Sequence, residues 1–241
     1  MSHWVLATDL DGTFLGGSRA QREALYTWLG ARRAYITLIY VTGRTLRSVR
    51  QVAERLPAEA HPDHVVTDVG TSAFTWPSGQ PLAAVERWLD GNWDTDAHRR
   101  IDAALSLHTH LQPLSDVAGR RRSFHYTDPE RALCARRDVE AAGFDAIISH
   151  DIFFDVLPRG VSKGPTLLQV LSALSMPRER VLVAGDSLND LSLFETGLRG
   201  VAVANSEPQL LTAVRTLPNV SLSEEPGAAA VLQAMRSLVG E

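Results

Sequence analysis

The run Trp4-Val5-Leu6-Ala7-Thr8-Asp9-Leu10-Asp11-Gly12-Thr13 passes from an apolar stretch straight into an acidic turn. Consecutive apolar residues without alternation fit a strand buried on both faces, the habit of parallel sheets. In an extended segment residues two apart point the same way, so Asp9 and Asp11 face one site. Gly12 lets the chain turn sharply away. Two carboxylates this close suit a hard cation with oxygen ligands, such as Mg²⁺. They equally suit a division of labour between a nucleophile and a proton donor. An ordinary Asp-Gly turn has the same letters. An EF-hand loop does not, because Gly12 comes two positions early and the twelfth position would be Ala20.

Outward from this run, strand and helix signals alternate. Ser18-Arg19-Ala20-Gln21 has the spacing of a capping box, and Leu25, Trp28 and Leu29 form one helical face. Ile36 to Val41 is an apolar run of strand length, Leu46, Val49, Ala53 and Leu56 recur at helical spacing, and Val65-Val66 begins another strand. From about Gln80 to Val156 the texture changes: five of the eight histidines lie here, with Trp88, Trp93 and the basic run Arg120-Arg121-Arg122. Strands are expected over Arg121 to Tyr126 and Ile147 to Val156, and helices near 97–107 and 129–142. The alternation then resumes, with a helix from Pro165, a buried strand Val181 to Ala184, a short helix from Leu191, a strand Gly200 to Val203 and a closing helix Ala228 to Leu238. The fold expected is α/β: a Rossmann-like parallel sheet with helices on both faces, built from 1–80 and 157–241, with an inserted α+β module at 81–156.

Three further polar clusters follow strand candidates or open helices, where the strand ends of an open parallel sheet converge on a ligand crevice. Thr42-Gly43-Arg44 offers a hydroxyl and backbone N–H groups able to hold a phosphate oxygen, or simply a helix cap. Ser162-Lys163-Gly164 precedes a helix, and its ammonium can offset repulsion between a carboxylate and an incoming phosphate. Gly185-Asp186-Ser187-Leu188-Asn189-Asp190 adds two carboxylates that would repel the first pair unless a cation joined them. Of the 24 Lys and Arg residues only Lys163 is lysine, a position where a compact ammonium is wanted or one that escaped an arginine bias. Gly160-Val161-Ser162-Lys163-Gly164 also matches the G-x-S-x-G pattern of serine hydrolases, but all eight histidines precede Ser162, whereas that fold needs its histidine later.

Composition narrows the classes. A hydrophobic fraction of 44% and a charged fraction of 22% suit a globular protein with a substantial core. A net charge of −4 favours neither nucleic acid nor an anionic membrane as partner. Cys134 is the sole cysteine, which excludes an intramolecular disulfide. No transmembrane run or secretory leader is read, and a cytoplasmic location is expected.

Taken in order, the four clusters resemble the motifs of the haloacid dehalogenase superfamily of phosphohydrolases. Asp9-Leu10-Asp11-Gly12-Thr13 resembles the first, Thr42 the second, Lys163 the third and Gly185 to Asp190 the fourth. The resemblance implies that Asp9 attacks phosphorus to form an aspartyl-phosphate, and that Asp11 protonates the leaving alcohol and then activates water. It implies that Thr42 and Lys163 hold the phosphoryl group. Asp9, the carbonyl of Asp11, and Asp186 would ligate Mg²⁺, with Gly43, Asn189 and Asp190 in support of the metal or phosphate site. The wide gap between Thr42 and Lys163 leaves room for a cap domain there, as in the branch that acts mainly on sugar phosphates. Thr67-Asp68-Val69-Gly70-Thr71 and Asp155 to Gly164 most resemble sucrose-phosphate phosphatases and their relatives for mannosylfructose phosphate and mannosyl-3-phosphoglycerate. The implied substrate is a small sugar phosphate, such as sucrose 6-phosphate, met by a monomer or weak dimer. Arg44, Arg122, His125 and Arg159 are the candidate substrate contacts. The other class open to a Trp- and Arg-rich insert is a sugar-phosphate-binding module without turnover.

Overall fold

The computed structural model describes residues 3–115 and 119–241. Its larger sheet has eight strands: β1 (Trp4–Thr8), β2 (Ile36–Val41), β3 (His64–Thr67), β4 (Ser72–Thr75), β5 (Gln80–Pro81), β10 (Val181–Gly185), β11 (Arg199–Ala202) and β12 (Val220–Leu222). Their order is β12-β11-β10-β1-β2-β3-β4-β5; β12 through β3 run parallel, and β4 and β5 form an antiparallel edge.

Strand parity explains the two helical layers. Leu6, Ile36, Leu38 and Tyr40 face one apolar cluster with residues of α1 (Arg19–Gly30), α2 (Leu46–Ala53) and α9 (Gly227–Val239). Val5, Ala7, Ile39 and Val41 face the other, with α3 (Ala83–Gly91), α6 (Lys163–Ala173), α7 (Leu191–Phe194) and α8 (Pro208–Val214). Each buried Val, Leu or Ile among them contributes about 1.5–3 kcal/mol relative to exposure, which is why both faces of β2 are apolar. The capping box at Ser18 forms as expected: its hydroxyl accepts from the Gln21 N–H, and the Gln21 side chain returns to the Ser18 N–H. Among the described residues no helix is long and apolar enough to cross a membrane.

The inserted module is a four-stranded antiparallel sheet, β6 (Gln112–Pro113), β7 (Arg122–His125), β8 (Phe144–Ser149) and β9 (Phe153–Pro158), in the order β6-β7-β9-β8. Its helices α4 (Ala97–Ala104) and α5 (Pro129–Ala141) cover one face, around Ile101, Phe124, Val139 and Phe154.

Two expectations change. The single strand expected over Ile147 to Val156 is a hairpin, because His150 and Asp151 both turn left-handed, at φ 53°; His and Asp are among the residues that enter that region most readily. The boundary expected at residue 80 also moves, since α3 buries Val85 and Leu89 in the core's own apolar cluster. By packing, the core runs through Gly91 and the module runs from about Asn92 to Pro158.

Candidate active site

Beside β1 the chain order reverses: β2 and β3 lie to one side, β10 to β12 to the other. Loops leaving the carboxyl ends of β1 and β10 therefore diverge and open a crevice. Asp9 follows β1, Asp186 follows β10, Thr42 follows β2, and Lys163 opens α6. All four motif clusters meet there.

Lys163 is fully buried, and its Nζ donates to Asp9 Oδ1 at 2.7 Å and to Asp190 Oδ1 at 2.6 Å. The other Asp190 oxygen accepts from the Asp186 and Ser187 N–H groups and the Ser187 hydroxyl, which fixes the loop. Thr13 Oγ1 donates to Asp186 Oδ1 at 2.6 Å. Gly12 sits at φ 80°, and a Cβ there would lie 2.3 Å from Asp186 Oδ2. Glycine is thus required twice, for its backbone angle and for the close approach of that carboxylate.

Thr42 is buried, and its Oγ1 accepts from the Arg44 N–H at 3.1 Å. The Asp11 side chain turns from the cluster to a two-pronged pair with Arg44, at 2.6 and 2.7 Å. The Thr67 to Thr71 stretch braces these loops. Asp68 N–H donates to the Arg44 carbonyl and Val69 N–H to the Thr42 carbonyl. Val69 holds φ 57°, a strained angle for a β-branched residue. Gly70 abuts the Ser162 backbone so closely that a Cβ would lie 2.3 Å from it, and its carbonyl accepts from Thr166 Oγ1 at 2.6 Å.

Above the cluster lies a cavity of 340 Å³, within the roughly 300–1,000 Å³ of small-molecule pockets. Core residues Asp9, Asp11, Thr42, Gly43 and Asn189 line its floor, and Arg121, Ser149, His150, Phe153 and Asp155 of the inserted module line its roof. The roof follows from register: Ser123 opposes Asp155 and Ser149 opposes Phe153, so these side chains share a face, while Phe124 and Phe154 turn to the helices. His125 shares the roof's face beside Phe153, their ring centroids 5.2 Å apart, but it does not line the cavity. Arg122 points the opposite way and pairs with Asp102, and Arg159 donates to the Glu140 carbonyl. Neither arginine reaches the cavity. Sequence reasoning gave Thr13 no role although it closes the first motif, and it missed Arg121, Ser149 and Phe153, whose only signal was alternation along strands whose register was unknown.

The donor set fits a hard divalent cation. Oxygens of Asp9, Asp186 and Asp190 lie within 4.8 Å of one another. Asn189 Oδ1, in the same loop as Asp186 and Asp190, is buried without a hydrogen-bond partner among the described residues. Burial drives the Asp9 carboxyl well above the usual range, against the pull of Lys163. Burial and the Asp190 charge push Asp186 up to about 7. Burial disfavours the charged Lys163, but Asp190 and Asp9 outweigh it and hold the ammonium above its usual value. Three carboxylates around one ammonium leave an excess of negative charge, which a cation such as Mg²⁺ would relieve.

The profile of the family described as sucrose-6F-phosphate phosphohydrolase matches residues 2–238. A glucosylglycerol-phosphate synthase of Pseudomonas anguilliseptica is 37% identical over 232 residues, an alignment covering 95% of this chain but only 30% of that longer protein. The mannosylfructose-phosphate phosphatase of Agrobacterium fabrum is 27% identical over 218 residues, 86% of each chain. Among solved structures, the sucrose-phosphatase of Synechocystis sp. PCC6803, in complex with sucrose and phosphate, matches with a TM-score of 0.87 at 28% identity, over 99% of both chains.

Proposed function

The chain belongs to the sucrose-6F-phosphate phosphohydrolase family and is a phosphoric monoester hydrolase, and from that premise we propose that it hydrolyses the phosphate ester of a small glycoside, with Mg²⁺, through an aspartyl-phosphate. The observation that carries the proposal is the buried Asp9–Lys163–Asp190 cluster beneath a cavity roofed by the inserted module.

In this reading Asp9 attacks phosphorus, and the bond from phosphorus to the glycoside oxygen breaks. Asp11 supplies the proton to that oxygen, then takes one from the water that hydrolyses the aspartyl-phosphate. Its pairing with Arg44 must open for either step, and an incoming phosphate is the natural new partner for the released guanidinium. Thr42 and Lys163 hold the phosphoryl oxygens, and Asp190 keeps Lys163 aimed at them. Mg²⁺, held by Asp9 and Asp186 with Asn189 in support, would neutralise phosphate charge and keep Asp9 ionised. Phe153 and Ser149 are placed to meet the sugar, one by an apolar ring face and one by a buried hydroxyl with no partner among the described residues.

A disaccharide phosphate such as sucrose 6-phosphate is the first substrate to test. Glucosylglycerol phosphate is a second, favoured by the 37% identity to a protein named for that compound. The experiment is phosphate release with Mg²⁺ from these two, mannosylfructose phosphate and simple hexose phosphates. Release from the glycoside phosphates at least about tenfold faster than from hexose phosphates supports the reading. Equal rates on all, or none, refute it.

A further inference from the structure

Arg121 is a buried guanidinium just before β7, 7% exposed, with no role in the chemistry described so far. Its Nε donates to Asp155 Oδ1 at 2.9 Å, and Nη2 lies 2.8 Å from the same oxygen. Asp155 also accepts from the Ser123 hydroxyl. Three donors on one carboxylate fix the guanidinium plane, and a fixed plane fixes where the remaining nitrogen points. That nitrogen, Nη1, donates to the Gly43 carbonyl at 2.6 Å. The bond crosses from the inserted module to the core loop beside the candidate nucleophile.

The Gly43 carbonyl and the Arg44 N–H belong to one planar trans peptide and point in opposite directions. The Arg44 N–H donates to Thr42 Oγ1. Holding the carbonyl therefore aims the N–H at the Thr42 oxygen, and a hydroxyl that accepts there keeps its own hydrogen free to donate into the cavity. The orientation of Thr42 is thus set by a side chain from the other domain. Resting on the phosphatase reading above, we propose that Arg121 is a positioning residue: it orients the Gly43–Arg44 peptide, and through it the Thr42 hydroxyl that holds the transferring phosphoryl group. The same arrangement makes full activity conditional on the inserted module being docked.

The alternative use of a cavity-lining arginine is direct contact with the leaving group. The two are separated by comparing p-nitrophenyl phosphate, which carries no sugar, with the best glycoside phosphate. Arg121→Lys keeps a cation for Asp155, but one ammonium cannot hold Asp155 and the Gly43 carbonyl in a fixed plane. We expect its kcat to fall about tenfold on both substrates by the same factor, with each KM within about twofold, because misaimed groups lower transition-state stabilisation without removing substrate binding. Arg121→Met should fall at least as far, and a melting scan of both variants shows whether each is folded. Unchanged kcat in a folded Arg121→Lys protein overturns the proposal. A loss confined to the glycoside phosphate also overturns it and makes Arg121 a sugar contact. Wild-type protein that hydrolyses neither ester brings down the phosphatase reading itself, and this inference with it.

Discussion

The floor and the roof of the cavity are built on opposite electrostatic plans. On the floor, three carboxylates crowd one buried ammonium, and the surplus charge calls for a cation. On the roof, Asp155 is matched by Arg121 and the remaining lining is aromatic, hydroxyl or imidazole. The floor thus carries surplus charge that waits for a cation, whereas the Arg121–Asp155 charges of the roof are already matched. In the function proposed above, that difference separates the groups that do chemistry from the groups that choose what reaches them.

The comparison breaks most directly at Asp9. Asp9→Asn removes the proposed nucleophile, and kcat for every phosphate ester should fall by at least about 10³-fold. Its melting temperature should hold or rise, since a crowded carboxylate has gone. Gly12→Ala is expected to cost about 1–3 kcal/mol of stability from the left-handed angle alone, and its Cβ displaces Asp186. Phosphate release should fall about a hundredfold, as a misplaced group of this kind does. On the roof, Phe153→Ala should lower kcat/KM about tenfold for a glycoside phosphate, the scale of a lost aromatic contact, and leave p-nitrophenyl phosphate within about twofold. An equal loss on both would erase the distinction between floor and roof.

A smaller effect sharpens it thermodynamically. Asp186 is raised in the folded protein to about 7, above its unfolded value. The folded state therefore binds its proton more tightly, and that contribution is full at low pH and lost as pH rises through 7. Without metal, the melting temperature should decline between about pH 4 and pH 7, the interval between the ordinary aspartate value and the raised one. Mg²⁺ should restore it, with a larger increment at pH 8, because the carboxylates must lose protons to bind. A metal-free melting curve flat across that interval would count against the crowded-carboxylate account. The smallest effect is on the outside of the roof: Arg122→Ala removes an exposed pair with Asp102 and should leave kcat/KM within about twofold.

Legibility divides along the same line. On the floor each site residue follows a strand or opens a helix, and in a parallel sheet those ends share one edge whatever the register. Asp9, Thr42, Lys163 and Asp186 could therefore be placed together from their order alone. The roof is antiparallel, and there the face of a residue depends on strand register, which depends on distant partners. One position decides whether an arginine is Arg121, over the site, or Arg122, on the surface. The hairpin turn at His150-Asp151 was hidden for a related reason, since Ile152, Phe153 and Phe154 continue the apolar run that Ile147 and Ile148 begin. Helix α3 was absorbed into the insert because Trp88 and the change in composition outweighed the Val85–Leu89 spacing that docks it on the core.

The central position of β1 has a consequence for how the protein comes into being. Val5 pairs with Thr37 on one side but with Val181 on the other. A chain emerging from the ribosome holds β1, β2 and β3 long before β10 exists, and through that interval one edge of the apolar strand β1 stands open to neighbours. Asp9 likewise acquires Lys163 and Asp186 only once the second half has been made. Catalysis in this molecule is a late event of biosynthesis, and a truncated chain is an aggregation hazard before it is ever an enzyme.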